Sequence, residues 1–229
     1  SHRAAELCTQ MLAYSGKTSF AIQRTNITQI IEEITHLLKT SISKKAVLNM
    51  HLERNLPDIM ADPSQIRQVI MNLIINASDA IGDRSGIITI QAGATWCDEE
   101  YLRKTDLVQD LAPGLYVHLE VVDTGCGMDA DTRSRIFEPF FTTKFTGRGL
   151  GLAAVMGIIR SHNGALKVYS EPGKGTTFKL LFAALDSSID AAEAEKMDDA
   201  TNWRGYGTVL LVDDEESLRA MGASILEKL

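Results

Sequence analysis

The chain has 229 residues, 45% of them hydrophobic, and a formal net charge of −7. That length holds one sizeable domain plus fragments, or two small domains, and an acidic balance without any Lys/Arg run argues against a nucleic-acid binder. Three scattered cysteines, Cys8, Cys97 and Cys126, form no zinc or disulfide pattern, and neither a signal peptide nor an apolar run of membrane-spanning length is present. A reducing, cytoplasmic setting is expected, and a parent protein attached to a membrane would carry that anchor outside these residues.

In chain order, residues 3–14 keep helical spacing through Ala4, Leu7, Met11 and Tyr14, with Gly16 as a stop. A helix this short is marginal alone and reads as the tail of something longer. Residues 20–23 are a candidate short strand. Asn26 and Gln29 have capping-box spacing, and Ile27, Ile30, Ile31, Ile34, Leu37 and Leu38 predict an amphipathic helix. Residues 47–52 alternate as a strand whose apolar face is Leu48, Met50 and Leu52.

The stretch DPSQIRQVIMNLIINASDA, residues 62–80, predicts the central helix. Asp62 is suited to cap it, Pro63 fits the first helical position, and Gln65 sits three after the cap. At about 100° per residue, Ile66, Val69, Ile70, Leu73, Ile74 and Ala77 make one apolar stripe, while Asn72, Asn76 and Asp79 fall within about 60° of each other on another face. Unpaired amides are costly to bury, so that face needs water or a polar partner.

Beyond it, residues 82–86 read as a turn and 87–92 as a strand. Residues 95–113 read as an excursion between strands with no assigned role. Residues 115–121 alternate as a half-buried strand, and Asp129 is placed to cap a short helix ending near Phe137. Residues 138–150 read as loop, 152–161 as helix, and 165–170 with 176–182 as a hairpin turning at Pro172-Gly173. Strands beside about three helices predict an α/β two-layer sandwich with a mixed sheet. Residues 186–206 read as an acidic linker. Residues 207–229 read as the first strand and helix of a further domain, with Asp213 and Asp214 at the strand end.

Chemistry concentrates in loops. Asp123-Thr-Gly-Cys-Gly ends a strand: its glycines permit close backbone approach, and its carboxylate offers an acceptor. A dinucleotide fingerprint fails, because Ala130 stands where the third glycine belongs. Gly147-Arg-Gly-Leu-Gly-Leu precedes a helix N-terminus, an arrangement suited to phosphate, with Lys144 and Arg148 adding charge. In the loop before it, Phe137, Phe140 and Phe141 read either as core packing or as anchors of a mobile lid. Gly173-Lys-Gly-Thr-Thr reads as a tight turn, or as a placement of Thr176 beside a ligand.

The ordered set NxxxN, DxGxG, FEPFFTTK, GxGLGL and GxGT resembles the ATP-binding domain of sensor histidine kinases, in the GHKL ATPase superfamily, with its Bergerat-type fold. The resemblance covers about residues 19–185. Residues 1–18 resemble the end of a dimerisation and phosphoacceptor helix, and residues 207–229 the start of a receiver domain after the linker. Such a parent is a hybrid histidine kinase in a two-component phosphorelay.

The resemblance implies ATP and Mg2+ as cofactors. It implies Asn76 as the metal-coordinating residue, with Asn72 and Asp79 nearby, and Asp123 as acceptor for the adenine amine, with Gly125 and Gly127 beside it. Lys144, Gly147, Arg148, Gly149, Leu150 and Gly151 would hold the triphosphate, and Thr176 would assist adenine binding. Hydrolytic superfamily members place a Glu four residues before the metal Asn; here that position is Asn72, a poor base, which favours transfer to a histidine over hydrolysis. No histidine in the chain fits the acceptor pattern. His162 precedes Asn163 but ends the helix after the glycine loop, where it reads as structural. The implied partners are the dimerisation helices, the receiver domain and a response regulator, with a homodimeric parent and a monomeric fragment. A non-enzymatic nucleotide-dependent docking module is the remaining alternative.

Overall fold

In the computed structural model, the described residues are 21–42, 45–107, 111–144 and 149–185, and all lie in one compact unit ending at Leu185. The expectations for residues 1–20 and 186–229, and those for Gly147 and Arg148, fall outside the described residues.

A short strand β1 (Gln23–Thr25) pairs antiparallel with β3 (Ile59–Ala61). The first strand therefore lies slightly later than the expected 20–23, and β3 was not foreseen; three residues carry too little periodicity to read. Between them run helix α1 (Ile27–Ser41) and β2 (Ala46–Leu52). Asn26 caps α1, its Oδ1 accepting from the Gln29 amide at 3.1 Å. The capping box is half-formed, because the Gln29 side chain donates to Glu33 instead. Ile27, Ile30, Ile31 and Ile34 are buried.

Helix α2 (Pro63–Ile81) is the expected central helix. Asp62 caps it by accepting from the amides of Ser64 and Gln65. Ile66, Val69, Ile70, Leu73, Ile74 and Ala77 are all buried. Burying five such large apolar side chains contributes on the order of 10 kcal/mol, against about 1 kcal/mol for the cap. The stripe therefore orients the helix, and the cap sets where it starts.

β4 (Gly86–Cys97), β5 (Gly114–Asp123), β6 (Ala165–Glu171) and β7 (Gly175–Ala183) join β2 in a five-stranded sheet of order β2-β4-β5-β7-β6. Only the β2–β4 pair is parallel. The mixed two-layer α/β architecture is as expected. The register places Ile88, Ile90, Leu119, Val121, Phe178 and Leu180 on the face that meets the helices. β2 is an edge strand: Leu48 and Leu52 pack against the core while Met50 stays exposed.

The excursion at 95–113 proves partly regular. β4 continues to Cys97, and Asp98 caps a short helix α3 (Glu99–Arg103). Leu102 joins Cys97, Tyr116, Ala165 and Leu181 in a small apolar cluster; the register puts those four strand residues on the face away from the main core. The Asp106 amide donates to Leu166 O, and its carboxylate accepts from the Val168 amide at 2.7 Å, which covers the β6 edge.

Helix α4 (Ala130–Arg135) follows its cap Asp129, and helix α5 (Gly151–Ser161) ends at His162. His162 is a buried structural residue, as expected. Its Nε2 accepts from the Asp62 amide at 3.0 Å, so the ring proton sits on Nδ1, 2.7 Å from Ile158 O. The ring joins the end of α5 to the start of α2. Burial depresses its pKa, partly offset by the Ile158 bond and by Asp62.

A protonated Nε2 would face an amide that can only donate. The neutral ring's contribution is complete above the ordinary imidazole pKa of about 6.5 and is lost as pH falls through the depressed folded value. His118 is also depressed by burial and adds to the same trend. The stability difference between pH 7.5 and pH 5.5, measured by denaturant unfolding, should therefore shrink in His162→Gln. A difference equal to wild type would refute the assignment.

Candidate functional site

A cavity of about 720 Å³ opens between α2, the loop after β5, the loop before α5 and the β6–β7 turn. Asn76, Asp79, Asp123, Gly127, Lys144, Gly149, Leu150, Gly151 and Thr176 all line it. Five motifs that span more than a hundred residues of sequence therefore meet at one opening.

At one end lies Asp123, the last residue of β5, which is 5% exposed. Its carboxylate accepts from the Gly125 amide at 2.7 Å. Burial raises its pKa above the usual carboxylate range, against the pull of the Gly125 and Thr176 backbone and of Lys144. Asp123 and Thr176 are register partners across β5 and β7, which sets them side by side. Ser170, which sequence reasoning did not single out, supports this corner from behind: its Oγ contacts the Met128 amide, Gly175 O and Thr176 Oγ1. A serine on a strand carries no sequence signal for such a contact.

The glycines of the loop after β5 answer first to the protein's own packing. A Cβ on Gly125 would lie 2.6 Å from Ala80 Cβ. Gly127 has φ +63°, and a Cβ there would lie 1.9 Å from Glu171 O. The loop is pressed against the end of α2 on one side and the β6–β7 turn on the other; Cys126 N donates to Ala80 O and Gly173 N to Cys126 O. Gly125 does not itself line the cavity.

At the other end are α2's polar face and the start of α5. Asn72 does not line the cavity; its Nδ2 donates to Gly151 O at 3.3 Å and links α2 to α5. Asn76 and Asp79 do face it. Lys144 reaches both, 2.9 Å from Asp79 Oδ2 and 3.4 Å from Asn76 Oδ1. Leu150 precedes α5 and makes no side-chain cap hydrogen bond. The first amides of this helix are thus unspent by a cap beside Asn76 and Lys144, an arrangement suited to an anion. Phe137 and Phe141 pack against the core, whereas Phe140 is 65% exposed at φ +67° with its amide donating to Gly149 O.

The sequence profile described as "Histidine kinase-, DNA gyrase B-, and HSP90-like ATPase" matches residues 61–186. The chain belongs to this ATPase family. It is 37% identical over 234 aligned residues to the sensor kinase CckA of Brucella abortus, a match covering 99% of the chain and 24% of CckA. It is 33% identical to the sensor histidine kinase ZraS of Escherichia coli, over 78% of the chain and 34% of ZraS. The chain thus spans between a quarter and about a third of the length of these relatives. Among solved structures, the nucleotide-free catalytic domain of histidine kinase ThkA superposes with a TM-score of 0.56 at 25% identity, covering 72% of this chain and 97% of that one. Full-length ShkA in complex with AMPPNP gives 0.61 at 23% identity, covering 91% and 46%, a likeness of fold. The fold is that of the catalytic ATPase domain of histidine kinases, and the family membership carries ATP as the nucleotide. Among the described residues no helix is long and apolar enough to cross a membrane.

Asp123→Asn separates site from fold. The carboxyl's raised pKa means that its contribution to stability is complete below about pH 3.9 and is lost as pH rises through the folded value. At pH 7 the substitution should leave the melting temperature unchanged or higher. Loss of one charge-assisted acceptor, about 1.5–3 kcal/mol, should weaken ADP binding roughly 10–100-fold. Equal affinity in calorimetric titration would remove Asp123 from the site.

Proposed function

We propose that this chain is the Mg-ATP-binding catalytic part of a hybrid sensor histidine kinase, and that its role is to deliver the γ-phosphoryl group of ATP to a histidine carried by a dimerisation helix. The observation that carries this reading is the polarity of one cavity. It has a buried acceptor pair, Asp123 and Thr176, at one end and an uncapped helix start with Lys144 at the other. A nucleotide has the complementary polarity, with a donor-bearing base and an anionic tail.

In this reading Asp123 orients the base, and Thr176 stands beside it. Gly149, Leu150 and Gly151 present the α5 amides to the phosphates, with Gly147 and Arg148 contributing from the same loop. Lys144 gives its charge to the phosphates rather than to Asp79. The Asn76 amide oxygen is a hard donor suited to magnesium. Magnesium is commonly bound by few protein ligands together with phosphate oxygens and water. When bound, the ion would neutralise phosphate charge. Asn72 spends its amide on Gly151 O and has no carboxylate with which to activate water. Transfer is therefore favoured over hydrolysis.

The flanks extend the proposal. On their sequence patterns, residues 1–18 are read as the end of a dimerisation helix, 19–185 as the catalytic domain, 186–206 as linker and 207–229 as the start of a receiver. The parent would be a cytoplasm-facing homodimer that signals to a response regulator; one solved relative, ThkA, is in complex with the response regulator TrrA.

Titration with ATP should show binding that depends on magnesium, with negligible phosphate release on the same sample. Asn76→Ala should abolish the magnesium dependence. Fast release would move the reading to a hydrolase, and magnesium-independent binding in wild type would sink the role of Asn76.

A further inference from the structure

Ser170 lies on β6 opposite Thr176 of β7, and only Thr176 of the two lines the cavity. Its Oγ is 2.9 Å from the Met128 amide nitrogen, 3.1 Å from Gly175 O and 3.0 Å from Thr176 Oγ1. A serine hydroxyl has one hydrogen and two lone pairs. The Met128 amide can only donate, so it occupies one lone pair. The Gly175 carbonyl can only accept, so it takes the hydrogen. One lone pair remains, and the neighbour able to fill it is the Thr176 hydroxyl hydrogen.

This fixes the sense of Thr176. Its hydroxyl hydrogen points at Ser170. What Thr176 turns to the cavity is an acceptor. It stands next to a second acceptor, Asp123, its register partner.

We infer that Ser170 is a specificity-determining residue of the nucleotide site: by holding the Thr176 hydroxyl as an acceptor, it selects a 6-aminopurine over a 6-oxopurine. The inference rests on the nucleotide-binding reading above. An adenine edge brings an amino donor to this pair, directly or through a water that donates to Thr176. A 6-oxopurine brings a carbonyl oxygen against the same acceptors, and its ring N–H reverses the neighbouring position as well. In a Ser170→Ala protein the Thr176 hydroxyl is released to turn and donate, so the pair loses its fixed sense. Ser170 need not touch the nucleotide, and it acts here as a positioning residue.

The test is calorimetric titration of the full chain with ADP and with inosine 5′-diphosphate. Two mismatched polar contacts predict that wild type prefers ADP by about 100-fold. Ser170→Ala should cut that ratio roughly tenfold, chiefly through weaker ADP binding. Ser170→Thr keeps a hydroxyl and should hold the ratio near wild type. Thr176→Val removes the acceptor itself and should lower the ratio as Ser170→Ala does, a second reading should the alanine protein fail to fold. Equal loss of both nucleotides in Ser170→Ala would make Ser170 a packing residue and overturn the proposal. So would an unchanged ratio in Thr176→Val. Absence of ADP binding by wild type would instead overturn the nucleotide reading on which the proposal stands.

Discussion

Helix α2 has to bury one face and keep another polar at the cavity, and the rest of the site follows from how both demands are met. Its apolar stripe locks it against the sheet and α1. That fixes the azimuth at which Asn72, Asn76 and Asp79 emerge. Asn72 then meets the first carbonyl of α5, and at the opposite ends of the two helices His162 accepts from the Asp62 amide. Two polar contacts, one near each end of α5, hold it alongside α2. The uncapped start of α5 is consequently kept beside Asn76, where an anion has a use for it.

The two ends of the cavity are built differently. The Asp123 end is buried and made rigid by backbone contacts; its glycines have no room for a Cβ, and its carboxylate and hydroxyl are tied to the Gly125 amide and to Ser170. The Lys144 end is exposed, with Lys144 and Asp79 side chains 38% and 51% accessible. An ion pair so exposed is worth about 0–1 kcal/mol, so an incoming phosphate can redirect Lys144 at little cost. In the proposed reading, selectivity belongs to the rigid end, and charge exchange to the exposed one.

Among the described residues, the face of the sheet away from the helices is only partly covered. The segment from Asp98 to Leu107 lays α3 over Tyr116, Ala165 and Leu181 and seals the β6 edge through Asp106. It has no part in the cavity, which is why its sequence carries no motif. Its pattern is that of a patch protecting an edge.

The sequence by itself determined the elements with strong periodicity and the residue types that chemistry needs. The stripe from Ile66 to Ala77, the caps at Asn26, Asp62 and Asp129, and the alternation in β5 are local properties of neighbouring residues, and each appears in the structure. The ordered motifs resembled those of the ATPase family, and the family profile over residues 61–186 agrees. Only the tertiary structure decided the rest. Three-residue strands such as β3 exist because a partner strand is present, and the continuation of β4 to Cys97 follows from pairing with β5. Gly125 and Gly127 could be read as room for a ligand, but their Cβ positions are filled by Ala80 and Glu171. Ser170 was invisible until β6 and β7 were in register. A hydrogen bond's donor and acceptor sense depends on every neighbour of both groups, and those neighbours are brought together only by folding.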